Sequence, residues 1–182
     1  HAMRVLITGS SGLIGRALTT ALTRDGHEVR RLLRDPSLAD REKTFHWDPS
    51  TGQLDAHALV GCDALIHLAG DSIASGRWTH SKKQSLRSSR IQSTQQLAQW
   101  MSQCDRPLKH FLCASAVGFY GNQGTTIVDE SHPAGPGFLA SLTEEWETAA
   151  TSASPYVERL VLCRYGMVLS PLGGALRRML PS

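Results

Sequence analysis

The sequence predicts an α/β fold, in which an open, doubly wound parallel sheet carries helices on both faces. Strand-like apolar runs alternate along the chain with longer segments in which apolar residues recur at helical spacing. One run, residues 64–70, is apolar almost throughout, as in a parallel strand that helices cover on both sides. The first strand also passes into the first helix through a turn that contains three glycines. With right-handed crossovers, these elements give the strand order 3-2-1-4-5-6.

Each element is assigned from its apolar periodicity and from the turn residues that bound it. The first half of the chain gives strand one at 4–8, helix one at 12–25, strand two at 28–33, strand three at 45–48, a short helix at 54–59 and strand four at 64–70. The second half gives a long helix at 79–103, strand five at 110–114, a helix at 138–152, strand six at 158–164 and a last short helix at 175–180. The acids of the helix at 138–152 are interpreted as its solvated face: Glu144, Glu145 and Glu147.

Length and composition indicate one domain, residues 3–182, and argue against several classes of protein. The chain has 182 residues, 41% hydrophobic and 19% charged, as is typical of globular domains. We expect no membrane span, because no apolar run approaches the roughly 20 residues that one needs. We expect no nucleic-acid partner, because the net charge is only +3. Four cysteines without a C-x-x-C pair, and no visible targeting segment before strand one, favour reduced thiols, a cytoplasmic location and no metal site.

The turn between strand one and helix one predicts a nucleotide site. Gly9 can take the backbone angles of a tight turn, Gly12 lets a pyrophosphate approach the main chain, and Gly15 lets the helix pack closely. The start of the helix then offers free N–H groups to phosphates. The predicted cofactor-binding residues here are Gly9, Ser10, Ser11, Gly12, Leu13, Ile14 and Gly15. The alternative is a glycine-rich turn that serves packing only.

The end of strand two favours NADP over NAD. An acid at this position would bind the ribose 2′-hydroxyl and repel a 2′-phosphate. Here Leu33 occupies the position and Arg34 follows, and a guanidinium can hold a phosphate in two-point geometry. Two alternatives stay open: Arg30, Arg31 and Arg34 could be a solvated charge run, and Asp35 could bind a ribose if the strand ran two residues longer.

Several further motifs accompany the glycine turn: His67-Leu68-Ala69-Gly70, Ser115 with Phe119-Tyr120-Gly121, and Arg164 after strand six. With these, the chain resembles the extended and atypical short-chain dehydrogenase/reductase superfamily. It is most similar to the epimerase-family group that includes the SDR39U1-like proteins. The group's pattern is matched at Gly76-Arg77-Trp78-Thr79, Ser89-Arg90, 115–121, Asp129-Glu130 and 168–171.

The resemblance implies a Rossmann-like fold that binds NADP. Leu33 and Arg34 would lie at the adenosine end, and Arg90 would face the cofactor, where its charge could oppose the phosphates; the alternative for Arg90 is an ion pair on the helix surface. The other implied cofactor contacts are Leu68, Ala69, Gly70, Ser115, Arg164, Met167 and Val168. Members have about 300 residues, with a smaller substrate domain after the sixth strand. That domain would be largely absent from this chain.

Catalysis departs from the pattern of the superfamily, whose active members use Tyr-x-x-x-Lys for proton transfer. Phe138 and Leu142 occupy those two positions, and Ala116 aligns with the catalytic serine of sugar-nucleotide epimerases. Ser115 and Tyr120 remain as the candidate catalytic residues, although Tyr120 also fits a wall residue.

The expected function is an NADP-dependent oxidoreductase or a nucleotide-sugar epimerase-like protein. Its substrate would be a small carbonyl compound or a nucleotide-sugar. One alternative is a catalytically inactive NADP-binding sensor or regulatory protein. The other is an interaction protein whose glycine turn binds no cofactor.

Overall fold

The computed structural model describes residues 1–40, 42–70, 73 and 77–179. Gly76 of the resemblance pattern and Leu180, the predicted end of the last helix, lie outside these residues. The eight strands are β1 (Arg4–Thr8), β2 (Glu28–Leu33), β3 (Thr44–Asp48), β4 (Gln53–Leu54), β5 (Ala64–His67), β6 (Leu108–Ala116), β7 (Val157–Tyr165) and β8 (Leu169–Ser170). The five α-helices are α1 (Leu13–Arg24), α2 (His80–Arg87), α3 (Ser93–Met101), α4 (Phe138–Thr151) and α5 (Gly174–Met179).

Seven of these strands form one sheet in the order β4-β3-β2-β1-β5-β6-β7. All neighbours pair in parallel except β3 and β4, which are antiparallel. The predicted α/β class is therefore confirmed, and the six predicted strands lie in the order 3-2-1-4-5-6. The sequence did not predict β4, which adds an edge strand after the turn at Pro49–Gly52. A strand of two residues is too short to show periodicity.

Helices cover both faces of the sheet because β-strand side chains alternate between the two faces. Val5 and Ile7 of β1 face one side, where Leu18 and Leu22 of α1 pack against them. Leu6 faces the other side. It belongs there to the larger core cluster, which includes Leu97 of α3 and Phe111, Leu65 and Trp146 from β6, β5 and α4. This doubly covered sheet brings the carboxyl ends of β1, β2, β5, β6 and β7 to one edge.

The predicted long helix is interrupted by a π-helical turn, Ser88–Gln92, between α2 and α3. Side-chain hydroxyls accompany the change in winding. Ser93 donates to the Ser89 carbonyl at 2.7 Å, and Thr94 donates to the Arg90 carbonyl at 2.6 Å. Such side-chain bonds compete with the backbone ladder of an α-helix. Single π-helical turns are frequent at functional sites, and this one carries Arg90.

Candidate cofactor site

The three glycines of the first turn serve different purposes. Gly9 has φ of +69°, and a Cβ there would lie 2.7 Å from the carbonyl carbon of Leu68. A Cβ on Gly15 would overlap the Gly9 carbonyl oxygen. Packing thus accounts for Gly9 and Gly15. A Cβ on Gly12 would meet only the Gly9 carbonyl oxygen, at 3.3 Å. The space beside Gly12 is therefore open to a ligand that approaches the main chain.

Ser10 is the polar side chain of this turn that the protein buries. It is only 5% exposed, and its Oγ has no hydrogen-bond partner among the described residues. Leaving a buried hydroxyl without a partner costs about 1–3 kcal/mol. Gly12, the N-cap of α1, brings no side-chain bond to the first N–H groups of the helix. A phosphate group here would accept from the hydroxyl and face the positive end of the helix dipole. The turn therefore fits the diphosphate of a dinucleotide.

A cleft of about 450 Å³ joins this turn to the ends of neighbouring strands. Its predicted lining residues come from three separate segments: Gly9, Ser10, Ser11 and Gly12; Leu33 and Arg34; and Leu68, Ala69 and Gly70. Its remaining lining residues are Leu32, Trp47 and Pro49, which sequence reasoning missed. The available signal was the order of the strands, because the carboxyl end of β3 lies beside that of β2.

Arg90 approaches the same cleft from the π-helical turn. Its side chain is buried, with 7% of its surface exposed, so the alternative of an ion pair on the helix surface is wrong. The guanidinium carbon lies 3.4 Å from the position that a Cβ of Gly70 would take, and 5.3 Å from the ring centroid of Trp146. The absence of a side chain at Gly70 lets the guanidinium lie against the lining segment 68–70.

The remaining predicted contacts lie away from the lining of this cleft. Leu13 and Ile14 are half-buried in the first turn of α1. The Leu13 side chain contacts the Gly173–Gly174 turn near the end of the chain, 3.3 Å from the Cβ position of Gly174. Met167 and Val168 are 69% and 40% exposed between β7 and β8. Their side chains are accessible to a ligand or to another part of a larger protein.

Ser115, Tyr120 and Arg164 lie together, around Glu147 of α4. Ser115 is paired with Arg164 in the register of β6 and β7, and its hydroxyl donates to Glu147 Oε1 at 2.5 Å. Arg164 donates to both carboxylate oxygens of Glu147 at 2.8 Å, and to the Tyr120 hydroxyl at 2.9 Å. Its guanidinium carbon also lies 3.6 Å from the ring centroid of Phe119. We call Ser115, Tyr120, Glu147 and Arg164 the Glu147 network.

The interpretation of Glu147 as part of a solvated helix face is wrong, because the residue is only 8% exposed. The bonds to Glu147 raise the pKa of Arg164 further above its ordinary value, so the guanidinium stays charged. Ser115 and Tyr120 are 4% and 9% exposed, and each hydroxyl already has a partner. Either could act on a substrate only by exchanging that hydrogen bond.

The positions of the missing tyrosine and lysine hold packed apolar side chains. Leu142 is 2% exposed. Phe138 lies edge-on to Trp78, with ring centroids 5.9 Å apart, and the Lys83 ammonium lies 5.1 Å from its ring. Neither side chain can transfer a proton. Trp78 is 42% exposed, so it offers an aromatic surface beside Phe138.

Searches of the described ranges for other kinds of site gave negative or plain results. No helix in the described part of the chain is long and apolar enough to cross a membrane. Within the same residues, no group of three or more His, Cys, Asp or Glu side chains could hold a metal ion. All four cysteines are free thiols.

Comparison with known proteins gives a consistent result. The model of the NAD dependent epimerase/dehydratase family matches residues 5–179. An epimerase family protein of Mycobacterium bovis is 48% identical over 177 residues, which are 97% of this chain and 58% of that protein. The human epimerase family protein SDR39U1 is 35% identical over 181 residues, which are 98% of this chain and 59% of that protein. The chain thus spans a little under three fifths of the length of these relatives.

Two solved structures resemble the fold closely. The nucleoside-diphosphate sugar epimerase of Corynebacterium glutamicum has a TM-score of 0.84 and 37% identity, over 98% of this chain and 37% of that chain. Human SDR39U1, isoform 2, solved with NADPH, has a TM-score of 0.80 and 33% identity, over 97% of this chain and 58% of that chain.

Proposed function

Because the chain belongs to the NAD-dependent epimerase/dehydratase family and is an atypical short-chain dehydrogenase/reductase of the SDR39U1-like group, we propose that it binds NADP. Its site would be the cleft formed by the glycine turn, segment 68–70 and Arg34. The observation that carries the proposal is the buried Ser10 hydroxyl, which lacks a partner among the described residues and lies beside the open space at Gly12.

The choice of NADP over NAD depends on the end of β2. Leu33 offers no carboxylate to a ribose 2′-hydroxyl, whereas the guanidinium of Arg34 can bind a 2′-phosphate. Both residues line the cleft. A relative of 33% identity was solved with NADPH, which supports the same choice.

The remaining contacts follow from the placement of the side chains. Residues 9–15 would hold the diphosphate, with Arg90 opposing its charge from the other side of segment 68–70. Ser115, Arg164, Met167 and Val168 are proposed for the nicotinamide end. A bound nicotinamide cofactor supplies hydride transfer at its C4 position. The contribution of this chain would be to orient the cofactor and to exclude water from it.

For activity, we propose an NADP-dependent oxidoreductase or nucleotide-sugar epimerase-like protein, acting on a carbonyl compound or a nucleotide-sugar. Ser115 and Tyr120 are the proposed catalytic hydroxyls. The relatives extend beyond the segment that they share with this chain, and we assign most of the substrate contacts to that further part. The proposed location is the cytoplasm, where the four free thiols would stay reduced.

A specific observation favours a second candidate, an NADP-binding sensor or regulatory protein without turnover. Phe138 and Leu142 replace the proton-transfer pair, and the Glu147 network holds both candidate hydroxyls. Such a protein would need the cofactor cleft but no titratable group beside it. Turnover of NADPH distinguishes the two candidates, and both require that the cofactor binds.

Isothermal titration calorimetry of the chain with NADPH and with NADH tests the shared proposal. We expect one molecule of NADPH to bind per chain, more tightly than NADH. Equal affinities would overturn the assignment of Arg34. An absence of binding to both cofactors would overturn the proposed function and favour an interaction protein.

A further inference from the structure

A fully buried histidine lies under the cofactor cleft. His67 ends β5 and has none of its surface exposed. Its ring Nδ1 lies 2.6 Å from Thr8 Oγ1 of β1, and its Nε2 lies 3.0 Å from Thr94 Oγ1 of α3. The ring therefore bridges the strand before the glycine turn and the helix after the π-helical turn. We call Thr8, His67 and Thr94 the His67 relay.

The positions of the protons in the relay follow from counting bonds. Thr8 Oγ1 accepts from the backbone N–H groups of Leu68 and Ala69, both at 3.1 Å. With both lone pairs used, its own proton must point to Nδ1 of His67. The ring proton is then on Nε2, which donates to Thr94. Burial, and next the charge of Arg90, lower the pKa of His67 to about 3, so the ring is neutral.

Thr94 completes the relay without an unmade bond. Its hydroxyl donates to the Arg90 carbonyl at 2.6 Å and accepts from the indole N–H of Trp146 at 3.1 Å. It thus accepts two bonds, from His67 and Trp146, and donates one. A fully satisfied buried network of this kind specifies one arrangement of the elements that it joins.

The two ends of the relay lead to the two sides of the same wall. At one end, Thr8 holds the N–H groups of Leu68 and Ala69, which begin the lining segment 68–70. At the other end, Thr94 holds the carbonyl of Arg90, whose guanidinium lies against Gly70. No other residue of the described chain bonds to both threonines through one side chain. A change in the relay would therefore shift Arg90 relative to segment 68–70.

We propose that His67 is a positioning residue of the cofactor cleft, which fixes the separation between segment 68–70 and the turn that carries Arg90. The inference rests on the proposed function, since it concerns the part of the cleft assigned to the diphosphate. It assigns His67 no contact with the cofactor and no proton transfer. Its effect on binding is exerted through Thr8 and Thr94.

Substitution of Thr94 tests the proposal with little change of shape. Thr94→Val removes the hydroxyl, whereas Thr94→Ser keeps it. Thr148→Val is the matched control, because Thr148 makes the same bond to the carbonyl four residues earlier, at 2.9 Å, on the exposed side of α4. The probes are NADPH and 2′-AMP, of which 2′-AMP is too short to reach Arg90 from the Arg34 end of the cleft.

We expect Thr94→Val to raise the Kd for NADPH about tenfold, the effect of leaving buried donors unpaired beside the site. The Kd for 2′-AMP should stay within about twofold, because the distant Arg34 end is independent of the relay. Thr94→Ser should restore the affinity for NADPH, and Thr148→Val should leave both constants unchanged. Equal weakening of both ligands, or failure of Thr94→Ser to restore binding, would show general destabilisation and overturn the proposal.

A measurement on the unaltered chain remains informative if Thr94→Val fails to fold. The ¹⁵N shifts of the His67 ring should show a proton on Nε2 alone, unchanged between pH 5 and pH 8. A proton on Nδ1, or a titration in that range, would overturn the relay. This outcome is separate from failure of the proposed function, which would appear as an absence of NADPH binding to the same unaltered chain.

Discussion

Removal of the carboxylate at Glu147 should destabilise the protein strongly. Glu147→Leu deletes two bonds from Arg164 and one from Ser115, and it leaves the guanidinium charge without its counter-ion. The side chains of Arg164 and Glu147 are only 17% and 10% exposed, so solvent screens the pair weakly. Breaking a buried ion pair by removing one partner costs about 3–5 kcal/mol. For a domain of this size, that loss lowers the Tm by roughly 6–20 °C.

Urea denaturation, followed by tryptophan fluorescence, measures the loss as a lower midpoint at an unchanged slope. Glu144→Gln is the control, because Glu144 lies on the exposed side of the same helix, and its change should be within about 0.5 kcal/mol. The double variant Glu147→Leu/Arg164→Leu should recover part of the stability, since apolar replacement of a buried pair is often neutral. A loss of less than about 1 kcal/mol in Glu147→Leu, the range of an exposed pair, would refute the reasoning.

Three further predictions concern binding, turnover and thiol chemistry. Arg34→Ala should weaken NADPH by roughly tenfold to a hundredfold, the value of a charge-assisted bond, and leave NADH unchanged, with the exposed Arg24→Ala as the calorimetric control; equal effects on both cofactors would argue against a 2′-phosphate contact. An NADPH-oxidation assay of this chain with aldehydes, ketones and nucleotide-sugars should show no appreciable turnover; turnover that Ser115→Ala abolishes would contradict this and make Ser115 catalytic. Burial raises the pKa of Cys62 to about 11 and raises that of Cys113 still further, so iodoacetamide should leave both unmodified in the folded protein at pH 8, and rapid labelling seen by mass spectrometry would show that these thiols are not enclosed.

Much of the fold was predictable because its signals are local. Periodicity located the paired strands from β1 to β7, apart from the two-residue β4, and the glycine turn marked the junction of β1 and α1. Strand ends were less accurate. The apolar run 64–70 continues past the pairing of β5, which ends at His67, because segment 68–70 turns away to line the cleft.

The Glu147 network was not predictable in the same way. Acids at 144, 145 and 147 look alike within α4, and a helical pattern says nothing about their distant partners. Glu147 is distinguished by Arg164, 17 residues later, and Ser115, 32 residues earlier. These come together only when β6 and β7 pair in register. The bonds of His67 to β1 and α3 are likewise set by the tertiary structure, although its burial in a strand was expected.

The Glu147 network also determines what any reaction on this scaffold would require. Ser115 gives its proton to a carboxylate, and Tyr120 receives a proton from a guanidinium, so neither hydroxyl is directed at a ligand. Turning either one toward a substrate leaves a buried charged group with one bond fewer, at a cost of about 1.5–3 kcal/mol. Contacts with the substrate would have to offset that cost before any proton moved. Binding of NADP needs no such rearrangement, because the glycine turn, Arg34 and Arg90 already surround the cleft. The geometry therefore favours cofactor binding independently of catalysis, and substrate contacts from beyond this chain are the condition for turnover.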